Sequence, residues 1–212
     1  MKQEEKSLFT RKKILASAEL LFSQKGYDST TMQDIMNESE LSKGAIYHHF
    51  SSKEEILKAM ISTAQTQINE YFLQIADNHN LSVKEKVASI IQQFAINKNH
   101  DTFINNHWVE KVPFALLSTI RNGNDFIAPQ ISKIIQQGVS EGEFNCEHPE
   151  ELAEILVLLL DVWLDPVITH RSSIEFCNRL NVLYSLLDFF GAKLLTIDDM
   201  NKIKEFFSIY GK

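Results

Sequence analysis

The stretch Gly26 to Ile56, GYDSTTMQDIMNESELSKGAIYHHFSSKEEI, gathers hydroxyl, ammonium and imidazole side chains at spacings suited to gripping a polyanion. Thr31 followed by Asp34 has the form of a capping box opening a short helix, and Ser42 has the form of an N-cap opening a second, Lys43 to His49. Two short helices joined by a tight turn allow one to enter a DNA major groove while the other crosses the backbone. The spacing therefore predicts a helix-turn-helix. On its second helix Ile46 and Phe50, at i and i+4, point inward, leaving Lys43, Gly44, Ala45, Tyr47 and His48 for the DNA. Gly44 permits close backbone approach, and Tyr47 offers a hydroxyl to a phosphate. Thr30, Thr31, Ser42 and Lys53 are placed at helix starts, where hydroxyls, amides and an ammonium bind phosphates and position the protein without reading bases. A Tyr-His-His-Phe run alone would read as helix packing; the flanking Thr-Thr and Ser-Lys-Gly carry the functional reading. His48 and His49 lie about 100° apart on a helix and do not form an i, i+4 metal pair.

The elements that hold this block are helical. Residues 6 to 25 repeat Ile14, Ala18, Leu21 and Phe22 on one face, and Gly26 ends that helix as a C-terminal cap would. Ser51-Ser52 starts a long helix, 53 to 77, carrying Ile56, Met60, Ala64, Ile68 and Phe72. Asn78-His79-Asn80 breaks the pattern. Further helices are expected at about 83–97, 101–120, 128–140, 149–164 and 173–194, with a last amphipathic turn or two at 198–210; Asn122-Gly123-Asn124 reads as a break between two of them.

Seven Gly and four Pro among 212 residues are too few for a turn-dense β-sandwich or barrel, so the expected class is all-α. The charge is unevenly divided. Residues 1–60 balance nine basic against nine acidic side chains, and the remainder, 12 basic against 19 acidic, carries the whole net charge of −7. That partition argues against polyanion binding by the whole body but allows it near the N-terminus. Arg11, Lys12 and Lys13 fit either a solvated helix face or a graze of the DNA backbone. Cys146 and Cys177 form neither a zinc module nor a disulfide framework, the start has no apolar signal core, and no run is long enough to span a membrane, so a cytoplasmic protein without cofactor or metal is expected.

The block resembles the TetR family of bacterial transcriptional regulators. The match is carried by Gly26-Tyr27, Thr30-Thr31, Asp34-Ile35, then Ser42-Lys43-Gly44-Ala45-Ile46-Tyr47-His48-His49-Phe50, then Ser52-Lys53-Glu54-Glu55, and it spans about 50 residues. The Glu141 to Phe144 turn, the length and the helical content add to it. One departure stands in the turn: Glu40 occupies a position often held by Gly, where a left-handed conformation would cost about 1 kcal/mol. Met36 and Ser39 replace the usual small alanines. The resemblance implies an N-terminal three-helix DNA-binding domain, residues 1–52, and a C-terminal helical domain, residues 53–212, for effector binding and dimerisation.

In that second part Phe94, His100, Phe103, His107, Trp108, Phe114 and Trp163 mix apolar walls with a few polar groups. Phe103, His107, Trp108, Phe114 and Trp163 are the candidate ligand-binding residues for a small, mostly apolar effector. Core packing is the plainer reading of each. The 149–164 and 173–194 helices are apolar nearly all round and need cover on two sides. Leu152, Leu156, Leu159, Trp163, Leu180, Leu183 and Leu187 are the expected dimer contacts, a pair of helices that the resemblance places in a four-helix interface. No phosphate loop, nucleophile elbow or metalloprotease helix occurs, so an enzyme is not expected. The expectation is a homodimeric repressor of a palindromic DNA operator, responsive to a small molecule. The alternative is a helical protein-binding adaptor without specific DNA binding.

Overall fold

A computed structural model of the chain describes residues 3–96, 113–169 and 171–208. Regular structure among them is entirely helical. Their contacts form two compact units, one up to Thr66 and one from Gln67 onward. The candidate effector residues Phe103, His107 and Trp108 lie outside the described residues.

The first unit contains α1 (Gln3–Lys25), α2 (Met32–Ser39), α3 (Lys43–His49) and the start of α4 (Lys53–Ala76). Helix α1 presents Ile14, Ala18 and Phe22 to the core, all fully buried. It stops at Gly26, whose φ of +83° is open to glycine and whose amide donates to the Phe22 carbonyl at 3.0 Å. Ile35 and Met36 of α2, Ile46 of α3, and Ile56 and Leu57 of α4 complete the cluster. Ser39, also buried, satisfies its hydroxyl by donating to the Ile35 carbonyl at 2.6 Å.

Helix α2 closes with the two bonds of a Schellman motif, Glu40 N to Asn37 O and Leu41 N to Met36 O, each 3.3 Å. That motif needs a left-handed residue, and Glu40 supplies it with φ 51° and ψ 33°. The turn keeps the geometry that glycine normally serves. The exposed Lys13–Glu40 pair, at 3.8 Å, contributes little in return.

The second unit contains the rest of α4, α5 (Val83–Ile96), α6 (Pro113–Asn122), α7 (Ala128–Ser140), α8 (Pro149–Leu158), α9 (Pro166–Thr169), α10 (Ser173–Phe189) and α11 (Ile197–Ser208). Its core joins Phe72, Val83, Ile134, Ile135, Leu156 and Leu183, among others. Lys86 is buried along its length and donates from Nζ to the Ala76 carbonyl at 2.7 Å, satisfying the end of α4.

The expected break at Asn122-Gly123-Asn124 is absent. Residues Gly123–Ile127 instead form a π-helical turn that carries α6 directly into α7, closed by the Ala128 amide on the Gly123 carbonyl. A second π turn, Leu159–Trp163, extends α8, and its Asp161 approaches Gly123 of the first. The reason lies at Gly123: a Cβ there would stand 2.4 Å from Val157 Cγ1 and 2.7 Å from Asp161 Oδ2. The glycine marks a helix crossing, not a turn. Asp161 is pushed up to about 7 by burial and secondarily by the charge of Asp165. Helix α10 ends five residues earlier than the periodicity predicts, because Gly191 takes φ +75° and accepts the Asn145 amide at 2.9 Å.

Two outcomes are expected. Glu40→Gly relieves a left-handed cost of about 1–2 kcal/mol and regains about 0.5–1 of it as unfolded-chain entropy, so thermal unfolding should show a net stabilisation of up to about 1 kcal/mol. An unchanged or lowered Tm would show the turn unstrained. For Asp161, a folded pKa above the unfolded one means that folding takes up a proton, so stability falls as pH rises from about 4 to about 7 and then levels. Asp161→Asn should flatten that slope and stabilise the chain at pH 8 by up to roughly 4 kcal/mol, read from denaturant midpoints across pH.

Candidate nucleic-acid interface

Helix α3 is short, and its orientation is set from one side. Ile46 is fully buried and Phe50 is 2% exposed, both against the core of the first unit. Arg11 of α1 lies over the Phe50 ring, 5.3 Å from its centroid. Ser42 caps α3 by accepting the Ala45 amide at 3.2 Å. The opposite face is left to solvent: Ser42, Lys43, Gly44, Tyr47 and His48 are exposed and Ala45 is half-buried. Lys43 Nζ sits 5.8 Å from the Tyr47 ring centroid, which holds the ammonium and the phenol on the same side. A Cβ at Gly44 would touch nothing, so its lack of a side chain opens the surface and relieves no clash within the chain. His49 is half-buried, and burial, then the charges of His48 and Arg11, push its imidazole pKa down.

Helix α2 opens with the capping box. Thr31 is exposed; its hydroxyl accepts the Asp34 amide at 3.1 Å, and its own amide donates to Asp34 Oδ2 at 2.7 Å. Lys25 lies 2.8 Å from the same carboxylate, and with Thr31 it holds Asp34 well below the usual carboxylate range. The negative side chain complements the positive end of α2.

Two of the expected phosphate-binding residues make their bonds within the chain. Thr30 is 1% exposed and its hydroxyl donates inward, to the Gly26 carbonyl at 2.8 Å, so it fastens the end of α1 to the start of α2. Lys53 is not on an open surface: its Nζ donates to the Tyr27 and Thr30 carbonyls at 2.6 and 2.8 Å and lies 4.2 Å from the Tyr27 ring centroid. Tyr27 had no role assigned beyond the family pattern. Its place directly after the cap Gly26, next to a Thr-Thr pair, was the available signal.

Most of the expected dimer contacts in the second unit lie inside the chain. Leu152, Leu156, Leu180, Leu183 and Leu187 are all buried within the chain's own core, at 7% exposure or less. Leu159 is half-buried. Trp163 is half-buried too, with Arg179 over its ring at 5.1 Å and bonded to its carbonyl. The uncovered apolar residues of the same helices are Ile155 and Leu158 on α8 and Ile174, Val182 and Phe189 on α10. A shallow depression on α10 is lined by Asn181, Val182, Ser185, Leu186 and Phe189. Of the candidate effector residues within the described chain, Phe114 is half-buried at the start of α6, and Trp163 lies in the second π turn. No helix of the described residues is long and apolar enough to cross a membrane.

Comparison with known proteins agrees with this geometry. Residues 14–60 match the family described as bacterial regulatory proteins, tetR family. The biofilm operon icaADBC HTH-type negative transcriptional regulator IcaR of Staphylococcus aureus is 33% identical over 151 residues, covering 71% of this chain and 80% of that protein. The uncharacterized HTH-type transcriptional regulator YfiR of Bacillus subtilis is 27% identical over 161 residues, covering 70% of this chain and 74% of that one. Among solved structures, Salmonella enterica GusR superposes with a TM-score of 0.63 at 23% identity, covering 85% of this chain and 96% of that chain, a likeness of fold. With its helix-turn-helix core and this degree of identity to IcaR, the chain belongs to the TetR family of DNA-binding transcriptional regulators.

Proposed function

We propose that this TetR-family regulator is a homodimeric repressor that binds a palindromic operator and is released by a small, mostly apolar effector. The observation that carries the DNA arm is α3, whose inner residues Ile46 and Phe50 are locked while Lys43, Gly44, Tyr47 and His48 stand together in solvent. In this reading Ala45 and His48 meet base edges, while Thr31, Ser42, Lys43 and Tyr47 meet phosphates. Thr30 supports the surface from behind. The Staphylococcus aureus relative is a negative regulator, which favours repression.

The dimer arm rests on the outer faces of α8 and α10. A twofold site needs two recognition helices about one DNA turn apart, and an isologous interface supplies them. Ile155, Leu158, Val182 and Phe189 give that interface its apolar surface. For the effector, the segment bearing Phe103, His107 and Trp108, together with Phe114 and Trp163, is the proposed lining. By linkage, such a ligand and the operator weaken each other's binding by the same factor. The effector arm is tested by screening small molecules for thermal stabilisation of the chain, then titrating each hit with and without operator; equal affinities in both would overturn release.

Selection of duplexes from a random-sequence pool tests the DNA arm. Tyr47→Ala should weaken the selected site by about tenfold or more, similarly across site variants, because a charge-assisted phosphate bond is lost. His48→Ala should change which bases are selected. Selection of identical sites by both variants and the wild type, at equal affinity, would remove α3 from the interface, and failure to select any duplex would favour the adaptor reading. For the dimer, light scattering should give about twice the 24.4 kDa chain mass. Val182→Glu should yield folded monomers, whereas Leu183→Glu should unfold the chain, since it buries a charge in the core. A Val182→Glu chain that stays dimeric would place the interface elsewhere.

A further inference from the structure

Lys53 stands at the first turn of α4, half-buried, and its ammonium bonds within the first unit. Besides the Tyr27 and Thr30 carbonyls at 2.6 and 2.8 Å, the Asp28 carbonyl lies 3.4 Å from Nζ. An ammonium has three hydrogens, and these three acceptors account for them. The Tyr27 ring closes another side at 4.2 Å, and Phe22 braces that ring edge-on with centroids 5.2 Å apart. The acceptors are not scattered. All belong to the five-residue turn from Gly26 to Thr30 that separates α1 from α2, and that turn places Thr31 as the cap of α2.

We infer that Lys53 is a positioning residue for DNA binding and not a phosphate contact: its ammonium, wrapped by the Tyr27, Asp28 and Thr30 carbonyls and the Tyr27 ring, fastens the turn before α2 to the first turn of α4. This assignment rests on the DNA-binding reading above and adds how the phosphate-facing end of α2 is held at a fixed place relative to α3. It has a chemical corollary. A phosphate contact would tolerate arginine, which binds phosphate well, whereas a cage of convergent carbonyls suits a compact ammonium and not a planar guanidinium fork. Desolvation of the charge, only partly offset by Asp28, lowers the Lys53 pKa, as expected for a lysine enclosed by protein.

The test uses the full chain and the duplex that the wild type selects from a random-sequence pool. Affinities of wild type, Lys53→Arg and Lys53→Met are measured across salt concentration, each corrected to its active fraction by stoichiometric titration. Amide exchange is followed at Thr30 and Asp34, whose N–H groups donate to the Tyr27 carbonyl and the Thr31 hydroxyl. Both variants should bind about tenfold or more weakly with a salt slope unchanged from wild type, and should exchange these amides faster. Wild-type affinity in Lys53→Arg, a slope in Lys53→Met shallower by about 0.9, or unchanged exchange would each overturn the assignment. If Lys53→Met does not fold by circular dichroism, Lys53→Arg decides alone. A wild-type chain that selects no duplex would overturn the DNA-binding reading itself, an outcome distinct from a variant that binds as well as wild type.

Discussion

A helix of seven residues does not persist in water, because the cost of its first turn is repaid by too few hydrogen bonds. Helix α3 has that length, so its existence depends on the burial of Ile46 and Phe50 against the first unit's core. Fully burying two such side chains contributes about 3–6 kcal/mol, enough to order one short helix and to leave the opposite face free of structural duty. That division is why Lys43, Gly44, Tyr47 and His48 are available for recognition. A side chain needed for folding is poorly placed to read DNA, and here the two sets do not overlap.

The helix-turn-helix was legible in the sequence because its signals are local. Caps at Thr31 and Ser42, the Gly26 stop, and the i, i+4 pair Ile46 and Phe50 each act within a few residues, and all stand where the spacing predicts. The left-handed Glu40 was legible for the same reason. Direction over distance was not. Thr30 and Lys53 have the right chemistry for phosphates, but whether a hydroxyl or an ammonium faces water or a neighbouring turn depends on residues four to 26 positions away. In the same way, the all-round apolarity of α8 and α10 is seen in the structure as one face in the core and a second apolar face that the chain itself leaves exposed. Apolarity alone did not say which side belongs to the core: Leu183 is buried in it and the adjacent Val182 is exposed.

The second unit shows where a residue type misleads. Asn-Gly-Asn carries a strong turn preference, yet residues 122–124 lie within continuous helix. Close packing overrode propensity: Val157 and Asp161 approach Gly123 so nearly that the absence of a side chain, and not freedom of φ, is what the position requires. The same logic recurs at Gly138, where a Cβ would stand 2.3 Å from the Phe144 ring that folds over it.

The π turns have a further consequence for how this chain tolerates changes in length. A turn closed from i to i+5 holds one residue more than an α turn, so the flanking helices keep their faces while the residue count between them shifts by one position, about 100°. In the α6–α7 rod the turn stands just before the core face of α7, where Ile127, Ile131, Ile134 and Ile135 are buried at ordinary helical spacing. Losing a single residue between 124 and 127 would let the rod relax to regular α-helix with both halves keeping their faces, whereas a loss elsewhere in α6 or α7 would turn the residues beyond it by about 100°. The rod thus carries one residue that the packing of its two halves does not count, and a change of length by one is absorbed at that turn more readily than elsewhere along it.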